Sequence, residues 1–195
     1  MRLAPWWALL PSGCAPVLLV GSWAIAQVRQ SPEYDPARET LSVLAAYGAT
    51  SYWLMTGMLV VLGSCYVLTA HALRPAALAG RVALAGGGLS ALALTLVPAP
   101  SSGGALEHGA VATVGLVLLA VWPPLAAVRG TPSAPWGLRW DVSLAASAFM
   151  GATALWFLAE LQSGRAPGVA ERVVTFVQAL WPFLVVVSCR RQRIG

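Results

Sequence analysis

The chain has 195 residues, of which 58% are hydrophobic and 10% charged, with a net charge of +5. A soluble domain usually carries about a quarter charged residues, so these charges are too few to cover a water-soluble globule but enough for the two ends of a helical bundle whose sides face lipid. Every basic residue is Arg, and the arginines sit in short connections rather than on one solvated face, which excludes a nucleic-acid-binding surface.

Apolar runs near the roughly 20 residues that cross a bilayer fall at 6–28, 51–73, 80–99, 106–128, 139–160 and 170–189. They predict an all-α fold, one integral membrane domain over 1–195 built as a bundle of six transmembrane helices. The first run imitates a signal peptide, with Arg2 ahead of it and Ala24-Ile25-Ala26 as a small-residue site; it is expected to be retained as the first span. Pro11-Ser12-Gly13-Cys14 is a poor lipoprotein signal, because Pro stands where Leu is expected.

The connection 29–50 is the longest on its side. Asp35 can cap a helix and Pro36 suits its first position, and Leu41, Leu44, Ala45 and Gly48 follow helical spacing. The pattern predicts a short amphipathic helix at the interface, folded over the bundle mouth. Tyr47, Tyr52 and Trp53 would mark the aromatic belt there. In the third span, Gly86-Gly87-Gly88 suits close helix packing, or would loosen the helix and help form a cavity; a homo-oligomer is also among the expectations.

Arg74-Pro75, Pro98-Ala99-Pro100, Ser102-Gly103-Gly104, Gly130-Thr131-Pro132 and Ala166-Pro167-Gly168 punctuate the connections. Lipid cannot satisfy open backbone groups, so these breaks belong at the membrane surfaces. With the N-terminus inside, Arg2, Arg74, Arg81, Arg129, Arg139, Arg190, Arg191 and Arg193 share one side. Arg29, Arg38, Arg165 and Arg172 share the other. The bias predicts both termini cytoplasmic. All acidic residues except Asp141 fall at the outer side, which points any polar site outward.

Four acidic or basic candidates follow. Glu160, after Leu155-Trp156-Phe157-Leu158-Ala159, is either a proton donor held among apolar neighbours or a helix-end charge reaching headgroup water or Arg165. Asp35 and Glu39, four apart, either share acid catalysis or serve as cap and first-turn charge. His108, beside Glu107, is placed to point into the bundle mouth. His71 lies near the opposite face, on the order of 25–30 Å away, so the two cannot bind one haem. Cys14, Cys65 and Cys189 lack metal-ligand spacing and are expected as free thiols. With no phosphate loop, zinc set or HExxH motif, no cofactor or metal is expected.

The stretch Tyr34-Asp35-Pro36-Ala37-Arg38-Glu39-Thr40-Leu41-Ser42-Val43-Leu44, an aromatic-rich second span, a small-residue third ending at Val97-Pro98, and Glu107-His108 opening the fourth resemble a bacterial membrane family catalogued as domain of unknown function 998. The resemblance implies six helices and a multi-pass protein of the bacterial inner (plasma) membrane. It carries over Ser42, Leu44 and His108 as matched positions, and Val43 stands where the family's acidic residue follows the Ser.

Nine Trp residues are many for this length, and most serve as interface anchors. Tyr34, Trp23, Trp53, Trp156 and Trp181 are assigned to an aromatic-walled substrate pocket in the outer half, bounded by the second, fourth and fifth spans. Carboxylic acids above such a pocket suit acid-initiated chemistry on an apolar, lipid-like or isoprenoid substrate. The expected function is an integral-membrane enzyme, in size and aromatic content similar to small membrane-bound terpene cyclases, with Glu39, Glu160, Asp35 and His108 as catalytic groups. The competing expectation is a non-catalytic membrane protein, a small transporter or a subunit of a larger complex. The expected partners are membrane lipid and a hydrophobic small molecule.

Overall fold

The computed structural model describes residues 4–100, 106–130 and 133–191. Arg2, Arg193, the Ser102-Gly103-Gly104 break, Thr131 and Pro132 lie outside the described residues. The described chain is helical: α1 Leu9–Gln27 (extended at its start by a 3-10 turn from Trp6), α2 Leu41–Leu44, α3 Tyr52–Ala72, α4 Leu78–Ala93, α5 Leu106–Ala126, α6 Trp140–Ser163 and α7 Pro167–Arg191. Five of these helices are long and apolar enough to cross a membrane; α4 is apolar but shorter.

Six helices alternate in direction. Each packs on its chain neighbour, and α7 closes back on α1, so the long helices form a ring, α1–α3–α4–α5–α6–α7. Hydrogen bonds fix which ends meet. Ser51 Oγ donates to the Ala26 carbonyl, the Ala77 N–H to the Ala126 carbonyl, and the Gly168 N–H to the Ala37 carbonyl. Arg190 donates to the Ala4 carbonyl at 3.1 Å. The start of α1 and the end of α7 therefore share one end of the ring; α2 lies at the other.

Many large apolar side chains face outward, among them Val17, Ile25, Leu89, Phe149 and Leu155. On a soluble protein such a continuous apolar exterior would aggregate; against lipid tails it costs nothing. Inside, glycine lets backbones touch. A Cβ on Gly63 would sit 2.6 Å from the Gly88 carbonyl oxygen, and a Cβ on Gly88 the same distance from that of Gly63. Small residues at such crossings replace the hydrophobic drive that lipid removes. The Gly86-Gly87-Gly88 run stays helical, and its role at Gly88 is packing.

Several boundaries differ from the sequence expectation, three of them instructively. The interfacial helix begins at Leu41, not at Asp35. Residues 35–39 close only an isolated turn, because the Pro36 and Glu39 carbonyls accept from Arg172 instead of continuing a helical ladder. The third span, expected over 80–99, ends at Ala93. Pro98 has no N–H, and its ring would meet the carbonyl of Leu94 in a helix. The last three residues before Val97 accordingly tighten into turns. The sixth span starts three residues early, at Pro167, since a ring-fixed φ suits the first helical position.

Candidate functional site

The α2 end of the ring is roofed by residues 34–46, and α7 holds that roof down. At the start of α7 the N–H groups of Gly168 and Val169 lack helical acceptors, and both donate to the Ala37 carbonyl. Gly168 permits this approach: a Cβ there would overlap the Pro36 and Glu39 carbonyl oxygens. Arg172, one turn on, donates through Nη1 to the Pro36, Glu39 and Gly168 carbonyls and through Nη2 to the Tyr34 hydroxyl at 2.7 Å. Its guanidinium also lies 5.3 Å from the Trp23 ring centre. Tyr34 lies in the roof, outside the spans. Burial pushes its hydroxyl above its ordinary value of 10.0, although the Arg172 charge pulls it the other way.

Glu171 faces inward from the same turn. Its Oε2 accepts the N–H of Leu41, the first residue of α2. Its Oε1 lies 3.4 Å from Ser42 Oγ. Ser42 Oγ lies 3.2 Å from His108 Nε2, and His108 Nδ1 lies 2.9 Å from the Val97 carbonyl. A carbonyl can only accept, so Nδ1 carries the proton, and in the neutral ring Nε2 is the acceptor. Ser42 has one proton and two acceptors, His108 and Glu171. The three side chains form one chain of exchangeable protons, Glu171–Ser42–His108, anchored at both ends by backbone.

Below this chain lies a cavity of about 140 Å³. Ser42 and Glu171 stand in its wall, and Leu41 and Ala45 of the roof close its top. Its sides come mainly from α3, α4, α5 and α7, with Leu19 of α1 and Phe157 of α6, and Leu and Met are its commonest residues; Tyr66 and Phe157 are its only aromatic residues among those described. The cavity thus joins one polar patch to a long apolar interior. It can seat a chain and leave the polar or unsaturated end beside Ser42 and Glu171.

The sequence-predicted residues divide into three groups. His108 joins the proton chain. Tyr34 and Trp23 meet on Arg172, in the roof rather than in the cavity wall. Asp35 and Glu39 belong to the roof turn: Asp35 accepts from the Ala37 N–H and pairs with Arg38, and Glu39 Oε1 lies 3.4 Å from the Asp35 N. Glu160 stands apart. It is only 8% exposed, but its carboxylate is occupied by Trp156 Nε1, Ser163 Oγ and the Ala166 N–H. It ties the end of α6 to the following turn and does not line the cavity.

Two Trp placements are corrected. Trp53 is 80% exposed beside Tyr52, in an edge-to-face run with Tyr47. Trp181 packs edge-to-face on Trp136 at the opposite half of the ring, because α7 descends from the α2 end. The cavity boundary also shifts. The fifth span, α6, gives only Phe157, whereas α7 gives Glu171, Thr175 and Gln178.

Glu171 and Gln178 escaped the sequence reading. A signal for them exists: Glu171, Thr175 and Gln178 stand at i, i+4 and i+7, one polar stripe along an otherwise apolar helix face. Among the described residues, no group of three His, Cys, Asp or Glu side chains is close enough to hold a metal.

The family model described as protein of unknown function (DUF998) matches residues 14–188, and the chain belongs to that family. No curated protein and no solved structure matches the chain.

Proposed function

We propose that this is an integral-membrane enzyme that draws the apolar chain of a lipid-like molecule into the cavity and moves a proton to or from the group left beside Glu171, Ser42 and His108. One observation carries the reading: the polar chain of three titratable or hydroxyl side chains stands at the head of a cavity whose wall is mostly apolar. Membrane interiors rarely carry such groups without use for them. Glu171 takes the acid role that the sequence reading gave to Glu39 and Glu160, because it is the one carboxylate in the cavity wall among the described residues. Leu and Met walls favour a saturated or isoprenoid chain. A terpene cyclase would need aromatic faces to shelter a carbocation, and Trp does not contribute to the wall among the described residues.

In this reading the six alternating helices all cross the bacterial inner membrane, α4 aided by the turns that follow it. Both termini lie in the cytoplasm, and the roof faces outward. Arg74, Arg81, Arg129, Arg139, Arg190 and Arg191 at the terminal end support that orientation, against four Arg at the roof.

A second reading is a non-catalytic lipid-binding protein. It is favoured by the bond between Glu171 and the Leu41 N–H, which engages that carboxylate in holding the roof. The test is to incubate purified protein in nanodiscs with a polar lipid extract and follow the lipids by mass spectrometry. A lipid whose mass or chromatographic retention changes with wild type, but not with His108→Gln or the cavity-blocking Ala112→Phe, supports the enzyme. Retained but unaltered lipid, lost in Ala112→Phe, selects the second reading. No retained lipid removes both.

A further inference from the structure

Gln178 is 1% exposed and lies two helical turns below Glu171 in the cavity wall. Its Nε2 donates to the Leu116 carbonyl at 2.9 Å, across from α7 to α5. Exchanging the amide's oxygen and nitrogen would set two acceptors against each other there, so the partner fixes the assignment. Among the described residues, the Oε1 is then left buried with no hydrogen-bond partner. Thr69, Trp122 and Trp181 also carry a buried polar atom without a partner, but these three are outside the cavity wall; within the wall, two hydroxyls are engaged. Thr175 donates to the Glu171 carbonyl and Ser90 to the Val111 carbonyl.

A buried amide oxygen without a donor is costly and is retained where something supplies the donor. Water would need two to four polar partners, and Leu and Met are the commonest residues of the wall. A ligand that already fills the apolar cavity needs only one donor at this depth. Seven residues of helix separate Gln178 from Glu171, a rise of about 10 Å.

We infer that Gln178 is a specificity subsite: the cavity's ligand is a lipid chain bearing a hydroxyl or amide N–H about 10 Å from its polar end, and Gln178 Oε1 accepts from it. This rests on the lipid-binding reading of the cavity and narrows its ligand class. It predicts discrimination between chains of equal length and near-equal hydrophobicity, which an apolar cavity alone cannot provide.

The test uses the detergent-purified full chain and a positional series of hydroxystearates, with stearate as reference. Binding is read from the ligand-induced rise in Tm across a concentration series. One or two neighbouring isomers should bind wild type about tenfold tighter than stearate, the equivalent of one good buried hydrogen bond. Gln178→Leu should bind all members alike, and Gln178→Glu, which keeps an acceptor, should retain the preference. The wild-type series decides the matter even if a variant fails to fold. Equal affinity for stearate and every isomer overturns the subsite and leaves the cavity reading intact. A preference that survives in Gln178→Leu assigns the donor to another group and also overturns it. No binding of any member, stearate included, removes the cavity reading and the subsite together.

Discussion

The carboxylate of Glu171 accepts the backbone N–H of Leu41, 130 positions earlier in the chain. One turn of helix has no stability of its own, so α2 exists because α7 supplies an acceptor for its first N–H. Charge-assisted bonds of this kind contribute roughly 1.5–3 kcal/mol. Glu171→Gln should therefore loosen the roof without unfolding the ring. Hydrogen exchange should speed at residues 41–46 while the amides of α3 and α5 keep their protection. Unchanged exchange over 41–46 would show that the bond does not hold α2.

Arg172 meets four oxygen acceptors and a Trp ring with one planar fork, a geometry that an ammonium cannot reproduce. Arg172→Lys keeps the charge and loses most of the contacts. It should lower stability by about 1–3 kcal/mol and shift the emission of Trp23, recorded with the other Trp residues replaced singly to assign it. A silent substitution would mean that the loop 34–40 stays docked by Gly168 and Val169 alone.

At Gly168 the backbones of the roof and α7 approach too closely for a side chain to fit between them. Gly168→Ala asks the Pro36 and Glu39 carbonyls to move, and overpacking of this kind costs about 1–3 kcal/mol. The substitution favours helix elsewhere, so a fall in Tm would report the contact rather than helix propensity. A rise in Tm would mean that the loop adjusts freely.

Five long helices were legible from the sequence because lipid imposes one rule on a span, about 20 apolar residues bounded by breaks; α4 falls short of that length. The candidate site was less so. Glu160 reads as a buried acid because Leu155 to Ala159 are apolar, yet its neighbours in the next turn, Ser163 and Ala166, satisfy it locally. Glu171 stands next to Arg172 in sequence, yet those two point in different directions, one to Leu41 and one to Tyr34. Adjacent helix positions differ by about 100°, and which of them faces the centre is decided by tertiary packing. The bond from Ser42 to His108 joins elements 66 residues apart, which no local pattern announces.

Tyr34 gives the roof a dependence on pH. The folded protein favours its neutral hydroxyl, since burial raises the group above its ordinary value of 10.0. The resulting stabilisation is full below that pH and is lost as pH rises through the higher folded value. Thermal stability of wild type should thus fall more steeply above pH 10 than that of Tyr34→Phe, by under about 1 kcal/mol, as a half-exposed group is screened by solvent. Parallel curves for the two proteins would assign the alkaline loss to other groups.

Glu160 and Glu171 offer a paired test of where the chemistry lies. Both are carboxylates near the roof end of a membrane helix. Glu160 is held by Trp156, Ser163 and Ala166 and is outside the cavity wall, whereas Glu171 is in that wall beside Ser42. Glu160→Gln keeps one acceptor oxygen and should cost on the order of 1 kcal/mol, alter Trp156 emission, and leave lipid conversion within about twofold of wild type. Glu171→Gln should reduce conversion by about 100-fold or more, the usual worth of a positioned acid. Measured side by side in nanodiscs, the reverse ranking would move the reacting group out of the cavity to the turn after α6. Equal and small losses would leave His108 and Ser42 as the reacting pair, with Glu171 confined to holding α2 in place.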